Sequence, residues 1–246
     1  MDLQGKTALV TGAGVRIGRA IALALAARGC ALFIHYGRSG GPAEAVRDEA
    51  RALGVDAEVF GADLTDAAQV ARILPAATGA FGAVDLLVNN AAIFPEEDRF
   101  ETTDAALWDQ LFAINLRAPF LLSQAFAAQR DDTHPGVVVN VCDARTRQPG
   151  ADHFAYRLTK GGLWQMTEML AGALAPAVRV NGVALGAILP PPGRYESYIL
   201  DYAKRRVPLG HPGGSAAVVD AVLYLLEQAF VTGAVLPLDG GEFLEG

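Results

Sequence analysis

Short apolar runs alternate with alanine-rich segments of helical character from one end of the chain to the other. An apolar run of four to eight residues bounded by turn residues reads as a strand, and an unbroken one reads as a strand covered on both faces. By this pattern strands are predicted near 6–11, 30–36, 55–60, 84–89, 136–142, 178–184 and 234–238. Helices fall between them, roughly at 16–28, 41–53, 66–80, 104–128, 152–175 and 213–228. Regular strand–helix alternation predicts an α/β fold: one domain over 1–246, a doubly wound parallel sheet of about seven strands with helices on both faces. Residues 186–212 break the pattern, being rich in Pro and Gly (GAILPPPGRYESY, then VPLGHPGG). An irregular stretch of that length inside a compact domain predicts a substrate loop or lid.

Composition narrows the function classes. The hydrophobic share of 52% over 246 residues is ample for a full core. The charge balance of 20 basic against 27 acidic residues, net −7, argues against nucleic acid as a partner. The two cysteines, Cys30 and Cys142, fall inside predicted strands, which suits a reduced, cytoplasmic protein. No basic apolar leader opens the sequence and no apolar run reaches ~18 residues, so neither export nor a membrane span is expected. His35, His134, His153 and His211 lack metal-ligand spacing, so no metal site is expected. Cys142 has no matched histidine and reads as an inert buried thiol, while Trp108 and Trp164 read as packing on helix faces.

The candidate chemistry sits at predicted strand ends, where open α/β sheets bind ligands. Tyr156 and Lys160 are four residues apart on one helix, so they share a face. A free tyrosine, with a pKa near ~10, transfers protons poorly at neutral pH, and a neighbouring ammonium favours its phenolate. Asp143 stands where the preceding strand ends. Near the start, ALVTGAGVRIGRAIALALA places Gly12, Gly14 and Gly18 in a strand–turn–helix unit. Glycines there let the backbone approach a pyrophosphate, which the helix N-terminus stabilises. After the second strand, HYGRSGG offers Arg38 and Ser39 in place of an acid, a grip suited to the 2′-phosphate of NADP rather than the ribose of NAD. Asp63 (GADLTD) and Asn89 (VNNAAIFP) could contact adenine and the cofactor, or equally serve as a cap and a turn residue. Asn115, mid-helix among apolar neighbours, must find a partner.

Assembled in order, TGAGVRIG, ADL, NNAA, Asn115, the Tyr156-x-x-x-Lys160 pair, RVNGV and LPLDGG resemble the short-chain dehydrogenase/reductase family over nearly the full length. The resemblance implies a Rossmann-type sheet, a nicotinamide cofactor, hydride transfer and a homotetramer. It implies Tyr156 as proton donor, Lys160 lowering its pKa and holding the nicotinamide ribose, and Asn115 supporting a water relay. Carried over by position, the cofactor site would comprise Gly12, Gly14, Arg16, Ile17, Gly18, His35, Tyr36, Arg38, Ser39, Asp63, Leu64, Asn89, Ala91, Tyr156, Lys160, Gly186 and Ile188.

Three positions depart from the common family pattern: Arg16 for Gly, Asp143 for Ser, and Leu185-Gly186 for Pro-Gly. The first two, with HYGRS and the aromatic of NNAAIF, resemble the pteridine reductase branch, although that branch commonly has Ser where this chain has Ala92. That likeness implies NADPH, a pterin stacked on Phe94, Arg16 reaching pyrophosphate and pterin, and Asp143 assisting Tyr156. The chemistry points the same way. An ionised Asp143 cannot donate to a ketone oxygen and would repel the developing alkoxide, but it suits a substrate protonated at nitrogen; with a raised pKa it would instead act as an acid, and ordinary ketones are disfavoured either way. The leading expectation is therefore an NADPH-dependent reductase of a pterin-like C=N bond. A ketone, quinone or acyl-carrier reductase, and a non-catalytic NADP(H)-binding regulator, are the alternatives.

Overall fold

The apolar runs pair into one sheet. The computed structural model describes residues 1–131 and 133–244. Among them seven strands form: β1 (Thr7–Val10), β2 (Ala31–Tyr36), β3 (Ala57–Gly61), β4 (Leu86–Asn89), β5 (Gly136–Asp143), β6 (Val178–Leu185) and β7 (Val235–Leu238). Their spatial order is β3-β2-β1-β4-β5-β6-β7 and every neighbouring pair is parallel. The helices are α1 (Arg16–Ala27), α2 (Gly40–Ala52), α3 (Ala67–Phe81), α4 (Ala105–Phe112), α5 (Ala118–Ala127), α6 (Phe154–Leu174), α7 (Glu196–Arg206) and α8 (Gly214–Glu227).

Successive strand residues point to opposite faces, so each strand feeds two cores. Val10, Ile34, Val88 and Val139 face α1, α2 and α8, where Leu25, Val46 and Val222 meet them. Leu9, Phe33, Leu87 and Val138 face α3, α5 and α6, where Ile73, Phe126 and Ala171 meet them. Burying each Leu, Ile or Val side chain contributes about 1.5–3 kcal/mol, so these two layers dominate the folding free energy. Strand order reverses between β1 and β4, which opens a crevice at their carboxyl ends.

Three expectations change. The helix predicted over 104–128 is two helices joined by a π-helical turn, Ala113–Arg117, with Asn115 at its centre. The extra residue of such a turn swings a side chain out of helical register, and such turns gather at functional sites. Second, the segment read as irregular, 186–212, contains α7. Only Ile199 and Ala203 of that helix are fully buried, so its apolar stripe is too thin to stand out between Pro and Gly. Third, β2 begins one residue after Cys30, whose thiol caps the turn by donating to the Leu3 carbonyl.

Candidate active site

A cavity of about 940 Å³ lies along the carboxyl ends of the strands, running from the glycine turn after β1 to Tyr156 and Lys160 on α6. Most predicted site residues line it; Gly14, Tyr36, Asn89 and Asn115 do not. Gly12 has φ +63°, and a Cβ there would lie 3.0 Å from Ala91 Cα. At Gly18 a Cβ would lie 2.2 Å from the Gly12 carbonyl oxygen and 2.6 Å from Asn90 Nδ2, so the turn closes only on glycine. Gly14 packs instead against Ser39 and Ala43, which seats α1 against the start of α2. Arg16, where the family has glycine, holds a left-handed φ of +53°. Strain of this kind costs on the order of 1–3 kcal/mol and collects at ligand sites. Its Nη2 crosses the cavity to donate to the Pro190 carbonyl at 2.7 Å.

His35 fastens this half. Burial holds it below its usual pKa, and its Nδ1 accepts from Gly12 N–H at 3.3 Å, which places the ring proton on Nε2, 3.0 Å from the Ala62 carbonyl. The imidazole thus ties β2 to the glycine turn and to the end of β3. Arg38 and Ser39 line the same end. Asp63 accepts from the Thr65 backbone N–H at 2.9 Å and hydroxyl at 2.8 Å, and those bonds, with Arg38 adding to them, lower its pKa. Two assignments change here. Asn89 is buried and donates to Asn140 Oδ1 at 2.8 Å, tying β4 to β5; its neighbour Asn90 faces the cavity and donates to the Thr11 carbonyl. Tyr36 packs its ring over Gly40 and Gly61.

The other half centres on Tyr156. Its hydroxyl donates to Asp143 Oδ2 at 2.9 Å. Asp143 Oδ1 accepts from Arg145 N–H at 2.9 Å and so caps the 3-10 turn Ala144–Arg147. The carboxylate is therefore both a cap and a partner of the phenol. Lys160 is buried, and its Nζ donates to the Val141 carbonyl at 2.7 Å. Asn115 Oδ1 accepts from Ile93 N–H at 3.0 Å, and its Nδ2 reaches the Ile93 carbonyl at 3.1 Å and Thr159 Oγ1 at 3.3 Å. It joins the β4 loop to α6 one residue before the lysine.

Burial, then the Asp143 charge, push Tyr156 well above its usual value, and the Arg145 charge opposes them. Burial also lowers Lys160, because the ammonium loses water while its charged neighbours return only part of that loss. In the free protein the phenol is thus a protonated donor.

Three further residues had no motif to mark them. Asp98, buried in the loop after β4, accepts from Ala155 N–H at 3.0 Å and Tyr156 N–H at 2.8 Å. It closes the first turn of α6, whose N-cap His153 is left-handed and makes no side-chain cap. Three acids in a row there (EED) gave no reason to choose one. Arg145 lies 5.2 Å over the Phe94 ring, while His153 stacks on that ring at 4.2 Å and Tyr156 meets it edge-on at 4.8 Å. From α7, Tyr202 donates to Glu242, and burial with that carboxylate pushes its pKa up to about 12; both line the cavity.

Glycine-turn N–H groups, a guanidinium with a hydroxyl, and a lysine beside a phenol make a donor set that fits a phosphorylated dinucleotide laid across the sheet ends. Known proteins share the fold. The structure of FolM alternative dihydrofolate reductase 1 from Brucella canis, complexed with NADP, superposes with a TM-score of 0.94 at 34% identity, covering 100% of this chain and 96% of that one. L-rhamnose 1-dehydrogenase (NAD(P)(+)) of Sphingomonas sp. (strain SKA58) is 32% identical over 249 residues, and L-xylulose reductase of Mesocricetus auratus 36% over 248, each covering 98% of both chains. The family model for short chain dehydrogenase matches residues 6–195. The seven-stranded parallel sheet, the glycine turn and the Tyr156–Lys160 pair on α6 all fall within one pattern: the chain belongs to the short-chain dehydrogenase/reductase family of oxidoreductases, which use NAD(P).

Proposed function

We propose that the protein is an NADPH-dependent reductase of a pterin-like C=N bond. The observation that carries this is the Asp143 carboxylate bonded to the Tyr156 hydroxyl at 2.9 Å, where an ordinary family member has a serine. NADPH, when bound, supplies the hydride that enters the ring carbon. Tyr156 gives its hydroxyl proton to the ring nitrogen, so the C=N becomes CH–NH and the phenolate left behind is reprotonated from solvent. Asp143 takes no proton from the reaction; its charge favours the N–H that forms, whereas beside a ketone it would face a developing alkoxide. Phe94 offers a ring for a flat substrate. Arg16 and the glycine turn hold the pyrophosphate, Arg38 and Ser39 the 2′-phosphate, and Lys160 the nicotinamide ribose. Asn115 fixes Ile93 and Thr159, and so the walls on either side of Lys160. The structural neighbour named as an alternative dihydrofolate reductase supports the same class.

A carbonyl reductase is the second reading, favoured by relatives such as L-xylulose reductase. Comparing dihydropterins with ketones and quinones, with Tyr156→Phe as control, separates the two. Dihydropterin turnover abolished by Tyr156→Phe supports the proposal; turnover of ketones alone overturns it. The 186–212 segment, with α7, serves as the lid over this cavity. The apolar face of α4, α5 and α6, with Phe120 and Met169 exposed, suits a homotetramer, which light scattering would register as four chain masses. Both thiols are free and buried, in keeping with a cytoplasmic protein, and among the described residues no helix is long and apolar enough to cross a membrane.

A further inference from the structure

We propose that Arg145 is a positioning residue of this site: it holds the Asp143 carboxylate against Tyr156 and adds to Lys160 a second positive charge beside the phenol. The proposal rests on the reductase assignment above and adds a residue that no family motif marks. Arg145 follows the strand end by two positions, in the 3-10 turn that Asp143 caps. Its side chain is only 21% exposed, and its Nε lies 3.3 Å from Asp143 Oδ1, within ion-pair range but off the line of a hydrogen bond. A guanidinium held this far out of water without a bonded Nε–H is costly unless its charge is used. The ring of Phe94, 5.2 Å away, supports it from the substrate side.

Arg145 differs from the other groups around Tyr156 in being paired with Asp143. From β5 come Cys142, a neutral thiol pushed up to about 12 by burial, and Asp143, which disfavours the phenolate. Just before α6 stands His153, whose pKa is lowered by burial and by Arg145 itself, and on α6 lies Lys160, whose Nζ donates to the Val141 carbonyl and which has no ion pair with Asp143. Asp98 meets the backbone of Tyr156 rather than its ring. Arg145, ion-paired with Asp143, is a cation that opposes burial and Asp143 as the phenol gives up its proton.

Charge and packing make opposite forecasts for two substitutions. Arg145→Met keeps the stem over Phe94 and removes the charge; Arg145→Lys keeps the charge and removes the planar fork. The backbone N–H that bonds Asp143 survives in both, so the turn remains capped. NADPH oxidation followed in single turnover with a dihydropterin, in water and in deuterium oxide, reads the proton-transfer step. Arg145→Met should slow that step by about tenfold or more, raise its solvent isotope effect and leave KM within a few-fold, since a weaker acid makes proton transfer more limiting. Arg145→Lys should recover most of the rate and the wild-type isotope effect. Arg145→Gln replaces the Met variant should that one fail to fold. A Met variant as fast as wild type, or a Lys variant worse than Met, or an unchanged isotope effect, would overturn the role. A wild-type protein that turns over neither dihydropterins nor ketones would overturn the reductase assignment and this inference with it.

Discussion

Asp98 holds Tyr156 in place without touching its ring: one carboxylate oxygen accepts the Tyr156 backbone N–H at 2.8 Å and the other the Ala155 N–H at 3.0 Å. The first turn of a helix has four N–H groups without helical partners, and here a loop acid from after β4 satisfies two of them. The position of Tyr156 along the cavity is thus fixed by a residue remote from it in sequence. Asp98→Ala should leave both N–H groups buried and unpaired, costing about 2–3 kcal/mol, read as a lower denaturation midpoint. Turnover should fall further than stability accounts for, because the start of α6 is released. Asp98→Asn, which keeps an acceptor, should recover part of both.

Cofactor choice follows from the end of β2. Arg38 and Ser39 face the cavity with no acid between them and β2. A charge-assisted contact with a 2′-phosphate contributes on the order of 1.5–3 kcal/mol, so NADPH should bind at least about tenfold more tightly than NADH. Arg38→Ala should erase that preference and leave NADH binding unchanged. Calorimetric titration of both cofactors checks it, and equal wild-type affinities would sink the assignment.

How far the chain could be read in advance follows from which forces leave local marks. The seven strands were legible because strands buried on both faces must be apolar throughout, as Val137–Val139 are. The glycine turn and the Tyr156–Lys160 pair were legible because spacing alone sets their geometry. Asn89 and Asn90 could not be told apart, since which of two adjacent residues faces the cavity depends on register at the strand end. Asp98 and Arg145 act through tertiary contacts that leave no periodicity. The thin stripe of α7 was masked by its Pro- and Gly-rich flanks. The burial that raises Tyr156 was illegible for a related reason: it is a property of the whole cavity, whereas sequence spacing names a single neighbour.

The central claim is that the Asp143 carboxylate selects nitrogen over oxygen as the atom protonated by Tyr156, and Asp143→Ser tests it most directly. Serine can still cap the Ala144–Arg147 turn, so the local fold should persist while the charge is exchanged for a hydroxyl donor. The pH profile should move too, and its sense follows from the sign of the coupling. Asp143 raises Tyr156, so without the carboxylate the phenol loses its proton at lower pH and the alkaline limb of reduction should shift downward. The measurement is kcat/KM for a dihydropterin and for a simple ketone, wild type against Asp143→Ser. A fall of about a hundredfold for the dihydropterin, on the order of 2–3 kcal/mol of transition-state stabilisation, together with a gain for the ketone, is the predicted result. An unchanged substrate ranking would contradict the account.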